Sequence, residues 1–130
     1  MNRTRREFLA GTAGAMALPL FAGSVFAQSG GSLRIGALNP VTGAGGPYGE
    51  GMQKMILAAA ETINAAGGAA GSKIEIFAED TQTDPQAAVL AAKKLIEVNK
   101  VEAVLGTWSS GISLAVIPLT NDAGKILMHT

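Results

Sequence analysis

The 130-residue chain has no cysteine, and it has one histidine (His129), one tryptophan (Trp108) and one tyrosine (Tyr48). Without thiols there is no disulfide framework and no thiolate nucleophile, and a lone imidazole is too few for a zinc cluster. A serine–histidine relay is not expected from so little material either. Charge is also sparse and balanced, with 10 Lys and Arg against 10 Asp and Glu. Nothing in that balance attracts nucleic acid or an anionic lipid surface. Most hydrolase and metalloenzyme classes are thereby excluded, and no cofactor is expected.

What is present begins with a basic start, Arg3, Arg5 and Arg6, followed by an apolar run rich in Ala and Gly from Ala10 to Phe26. Basic, then apolar, then small residues at Val25 and Ala27 is the order of a cleavable export signal, with the cut expected after Ala27. A membrane anchor is the alternative. The run, at roughly 17 residues and broken by Pro19, is shorter than the ~20 a span requires. Thr4-Arg5-Arg6-Glu7-Phe8-Leu9 resembles a twin-arginine signal, although a general secretory signal with incidental arginines fits as well. Residues 1–27 are therefore assigned to the signal and 28–130 to the mature chain, which places the protein in the periplasm.

The mature part carries seven basic and nine acidic residues. Its length allows one small core and one domain at most. Short apolar runs alternate with longer amphipathic ones: 33–38, 49–66, 73–78, 85–99, 103–106, 110–123 and 126–128. That is β-α-β-α-β-α-β, an α/β fold with an open parallel sheet and helices on both faces. In the first helix Met52, Met55, Ile56, Ala59 and Ile63 form the expected buried stripe, with Lys54, Glu61 and Asn64 off it. The helix should stop at Gly67-Gly68. Asp84 and Pro85 give the second helix its N-cap and first turn, and Ala88, Ala92, Leu95 and Ile96 its buried side. The third helix opens at Ser109 or Ser110, and Pro118 should kink or split it.

In an open parallel sheet, ligands bind beyond the carboxyl ends of the strands where the strand order reverses. With the order 2-1-3-4, the loops at that point are 39–49 (NPVTGAGGPYG) and 107–110 (TWSS). Ser109 and Ser110 begin a helix, whose free N–H groups and positive dipole end suit a carboxylate; the alternative is that one serine only caps its own helix. Tyr48 and Trp108 fall in these two loops and could wall a small apolar side chain, or simply pack over strand ends. The 80–84 loop (DTQTD) is read as turn and cap chemistry, and His129 as a rim or packing residue. A nucleotide site fits poorly. The pattern G-x-G-x-x-G fails because Tyr48 stands where the third glycine would follow Gly43 and Gly45, and no phosphate loop is present.

At this point the residues resemble a known family, the type I periplasmic binding proteins of ABC transporters, in particular the leucine/isoleucine/valine-binding group. The resemblance rests on Gly36-x-x-x-Pro40-x-Thr42-Gly43 with Tyr48-Gly49, on Ile63-Asn64-Ala65-Ala66-Gly67-Gly68, on Asp80-x-x-x-Asp84-Pro85 and on Gly106-Thr107-Trp108-Ser109-Ser110-Gly111. It implies a bilobed protein that closes on an amino acid, branched-chain in preference, or a related small polar solute, and presents it to an inner-membrane permease without covalent chemistry. It further implies that Ser110 meets the ligand α-carboxylate and that Tyr48 touches its side chain, while Trp108 matches a variable position. The family has a second lobe, so this sequence is expected to be an amino-terminal part of such a protein. A ligand-sensing receptor domain of the same fold and an exported nicotinamide-dependent oxidoreductase are the competing functions.

Overall fold

The structure, a computed structural model, describes residues 31–130. The signal assigned to residues 1–27 lies outside the described residues. Four strands and three helices alternate: β1 (Ser32–Asn39), α1 (Gly46–Ala65), β2 (Lys73–Asp80), α2 (Pro85–Lys93), β3 (Ala103–Gly106), α3 (Ser110–Asp122) and β4 (Ile126–His129). A π-helical turn, Lys94–Val98, extends α2. All strand pairs are parallel, as the alternation predicts, and the order is β2-β1-β3-β4, the common order from which the ligand loops were placed.

Register fixes the two faces of the sheet. Ile35 lies opposite Ile76 and Ala103, and Ala103 opposite Ile126, so these side chains share one face, while Leu38, Val104 and Leu127 share the other. The main core forms on the second face, where Leu38 and Val104 meet Ala88, Ala92, Leu95, Ile96, Ile112 and Val116 from α2, its extension and α3. Leu95 sits directly over Gly36: a Cβ there would come 2.8 Å from Leu95 Cδ1. Burying a leucine of this kind contributes about 2 kcal/mol.

Three expectations are corrected. Helix α1 is rotated from the expected stripe, since Met55 is 73% exposed, Ile63 and Ala59 are exposed, and only Gly49 and Ala60 are fully buried. Asn64, expected off the buried stripe, faces the sheet instead. Its amide donates to the Ile74 carbonyl at 2.8 Å and accepts the Ile74 N–H at 2.7 Å, pairing main-chain groups of edge strand β2. Second, α3 is not split at Pro118 but runs through it as one helix. Proline removes the bond to the Leu114 carbonyl, but Leu114 and Pro118 are both exposed, so water takes that acceptor. Third, the second helix does not stay α-helical to Asn99. Its last turn widens, with Asn99 N–H bonding the Lys94 carbonyl at 3.0 Å, and Leu95 and Ile96 both reach the core.

The helix ends otherwise follow the sequence. Gly67 and Gly68 take φ of 105° and 84° after α1, and Asp84 Oδ1 accepts the Ala87 N–H at 2.8 Å as N-cap of α2.

Candidate functional site

Because β1 and β3 are neighbours, the loops that follow them, residues 40–45 and 107–109, meet at the carboxyl end of the sheet. Tyr48, in the first turn of α1, stacks on Trp108 with ring centroids 5.3 Å apart and planes 17° from parallel. The pair is accessible, Tyr48 at 61% and Trp108 at 37% exposure, so the stack offers its outer faces to anything entering from above. The sequence placed both rings in these loops, and the structure brings them into contact.

Ser110 opens α3 and Ser109 is its N-cap residue, yet the Ser109 hydroxyl makes no capping hydrogen bond, and the Ser110 hydroxyl has no hydrogen bond among the described residues. The Ser109 carbonyl takes the Ser113 N–H at 2.9 Å, which leaves the N–H groups of Ser110, Gly111 and Ile112 without an intrahelical partner. Ser110 is exposed and Ser109 half-buried. Free N–H groups, two unengaged hydroxyls and the positive end of a helix thus converge beside the stacked rings, an arrangement suited to a carboxylate next to an apolar group.

The turn that presents these groups is conformationally unusual. Gly106, Thr107 and Trp108 have φ of 118°, 77° and 53° in succession. Only glycine fits at 106, since a Cβ would strike the Leu38 carbonyl and the Asn39 side chain. A β-branched residue and a tryptophan in the left-handed region cost on the order of 1–3 kcal/mol each and persist only where neighbours over-determine them. The fully buried Thr107 supplies that constraint: its hydroxyl lies 2.6 Å from Ser113 Oγ and 2.9 Å from His129 Nδ1, and Ser113 Oγ lies 2.7 Å from the same nitrogen. Sequence patterning missed this cluster, whose members come from a strand end, a helix and another strand end. Although a serine and a histidine are in contact here, Ser113 is buried and donates to the Ser109 carbonyl at 3.1 Å, so its hydroxyl is not presented to the open side.

The first loop is pinned from β2. Asp80 Oδ1 accepts the N–H groups of Val41 (2.8 Å), Thr42 (3.1 Å) and Gln82 (2.8 Å), and Oδ2 accepts the Thr42 hydroxyl at 2.5 Å. Partial burial alone would raise the Asp80 pKa, but the Thr42 hydroxyl and the three N–H donors outweigh it and hold the carboxyl below its ordinary value. Thr83 adds a second tie, donating to the Thr42 carbonyl at 3.0 Å and accepting the Gly45 N–H at 2.9 Å. The 80–84 loop therefore performs turn and cap chemistry and also positions the loop leading to Tyr48. A depression of about 550 Å³ lined by Gly31, Asn64 and Lys73 lies at the opposite end of the sheet, away from the serines and the aromatic pair.

With the geometry in place, comparison with known proteins decides the family. A family model described as periplasmic binding protein matches residues 32–130. The chain belongs to that family. Its members are substrate-binding proteins of the extracytoplasmic space, and the open parallel sheet is the lobe architecture of type I periplasmic binding proteins. An amino acid binding protein of Pseudomonas aeruginosa is 37% identical over 92 residues, covering 71% of this chain and 25% of that protein. A Leu/Ile/Val-binding protein homologue of Brucella abortus is 34% identical over 110 residues, covering 85% of this chain and 28% of the relative. Among solved structures, the isoleucine-bound substrate-binding protein of a branched-chain amino acid transporter from Streptococcus pneumoniae superposes with a TM-score of 0.73 at 32% identity, covering 75% of this chain and 28% of that one. The chain thus spans about a quarter of the length of these relatives.

Proposed function

We propose that the chain forms part of the amino-terminal lobe of an extracytoplasmic solute-binding protein that captures an amino acid, branched-chain in preference, for an ABC transporter permease. The observation that carries this is the pair of unengaged serine hydroxyls at the free N-terminus of α3, set beside the Tyr48–Trp108 stack. Ser110, with the N–H groups of α3, takes the ligand carboxylate; Ser109 adds a second hydroxyl; Tyr48 and Trp108 wall the apolar side chain. The opposing wall and the groups that hold the ammonium end come from the rest of the longer protein. Residues 1–27 act as its export signal, of twin-arginine type, cleaved after Ala27. The relatives named above, including one crystallised with isoleucine, support the ligand class.

Trp108 is the only tryptophan, so its emission reports on this site alone. Titrating the chain with leucine is expected to change that emission saturably in the millimolar range, and leucinol, which lacks the carboxylate, is expected to leave it unchanged. Equal responses to leucine and leucinol would remove the carboxylate site from the account.

A further inference from the structure

The three positive φ angles at Gly106, Thr107 and Trp108 require something to hold them, and the groups that do so are countable. Four polar contacts join Thr107, Ser113 and His129: Ser113 Oγ to the Ser109 carbonyl at 3.1 Å, Ser113 Oγ to Thr107 Oγ1 at 2.6 Å, and His129 Nδ1 to Ser113 Oγ at 2.7 Å and to Thr107 Oγ1 at 2.9 Å. The Ser113 hydroxyl donates to the Ser109 carbonyl, which also takes the Ser113 N–H. The single Thr107 proton can then fill the gap to Ser113 or the gap to His129, not both. If Nδ1 is bare, the gap between Ser113 Oγ and Nδ1 has no proton either, so two of the three gaps stay empty and lone pairs face each other across less than 3 Å in both. If Nδ1 carries a proton, Thr107 donates to Ser113, and the imidazole donates to the two hydroxyl oxygens in a shared bond. Every contact then has a proton, and both buried hydroxyls are satisfied.

We propose that His129 is the positioning residue of the ligand turn, held with its proton on Nδ1, so that it locks Thr107 in the left-handed conformation and thereby sets Trp108 against Tyr48. The connection is short. Thr107 is adjacent to Trp108 in sequence, its N–H is bonded to the Leu38 carbonyl at 2.6 Å, and the Thr130 N–H bonds the Gly106 carbonyl at 3.3 Å, which brings the end of β4 alongside the turn. Neutral imidazole free in water favours the proton on Nε2, so the arrangement inverts the usual tautomer, as second-partner hydrogen bonding does elsewhere. This assignment deepens the proposed function, because it rests on Trp108 and the Ser109–Ser110 pair being ligand groups. Its test uses no ligand, so failure here leaves the ligand assignment standing, and failure of leucine binding leaves this one standing.

The chain contains one histidine, one tryptophan and one tyrosine, which makes the measurements free of overlap. Long-range ¹H–¹⁵N correlation spectra of the ring at a pH where it is neutral are expected to show the proton on Nδ1. A ring protonated on Nε2 with Nδ1 bare overturns the proposal without any variant being made. The second readout is the near-ultraviolet dichroism of the Trp108–Tyr48 pair, with far-ultraviolet dichroism as the check on the fold. His129→Leu is expected to lose more than half of the aromatic band while keeping the far-ultraviolet signal, and His129→Asn, whose amide N–H takes the place of Nδ1–H, is expected to restore it. A His129→Leu variant that is merely less stable, with the aromatic band intact, makes the histidine a packing residue and overturns the proposal. Should that variant not fold, the tautomer and the His129→Asn spectrum still decide the matter.

Discussion

Asp80 collects four hydrogen bonds from two loops, and replacing it by asparagine removes the charge while keeping an acceptor in place. Bonds to a charged group are worth about 1.5–3 kcal/mol against about 1 for neutral pairs, so each of the three N–H bonds loses on the order of 1 kcal/mol. The site is only partly buried, and solvent screening reduces the total to about 1–2 kcal/mol. With a urea slope of roughly 1–3 kcal/mol/M, that lowers the unfolding midpoint by about 1 M at neutral pH. The pH dependence has a defined sign. The folded pKa of Asp80 lies below its ordinary value of 3.8, so its contribution is present above that value and is lost as the pH falls through the lower, folded one. The difference between the native chain and Asp80→Asn should therefore be constant above about pH 5 and shrink in acid. Urea melts followed by Trp108 emission at several pH values measure both effects. Coincident midpoints at neutral pH, or a difference that grows in acid, would refute the assignment of Asp80 as the clamp of the first loop.

Gly49→Ala should destabilise the chain by about 2 kcal/mol or more, because its Cβ would land on the Pro40 carbonyl. Gly51→Ala, two residues on, has nothing within 4 Å and should stabilise it by roughly 0.5–1 kcal/mol; thermal melts compare the two. Pro118→Ala restores the donor to the Leu114 carbonyl and should raise stability by about 1 kcal/mol, read from the same melts. This chain alone should bind leucine with a Kd near millimolar: a complete site of micromolar affinity is worth about 8 kcal/mol, and one wall supplies about half. Titration calorimetry giving micromolar affinity would show that one wall is enough.

The parallel alternation, the cap at Asp84-Pro85 and the buried side of α2 were legible because each depends on residues close in sequence, whereas the sheet order came from the arrangement common to such folds. The meeting of residues 39–49 and 107–110 was legible for a different reason: topology and composition, with the only Tyr and Trp beside two serines, pointed to the same end of the sheet. The rotation of α1 was not, since it goes with the pairing of Asn64 with the main chain of Ile74 across a turn, which no periodicity marks. The continuity of α3 through Pro118 was not legible either, because the cost of a helical proline depends on whether the orphaned carbonyl faces water, and that is a property of the packed molecule. The Thr107–Ser113–His129 cluster was hidden for the same kind of reason, as residues 16 and 22 positions from His129 share no periodic pattern with it.

The central claim is that the carboxyl end of β3, with Ser109, Ser110, Tyr48 and Trp108, receives an amino-acid carboxylate. Its most direct test is a ¹⁵N amide map of the chain under millimolar leucine. Shifts are expected to centre on residues 108–112 and the Trp108 indole, and to be abolished by Ser110→Ala with the rest of the spectrum unchanged. Shifts gathered instead around Gly31, Asn64 and Lys73 at the opposite end of the sheet would contradict it.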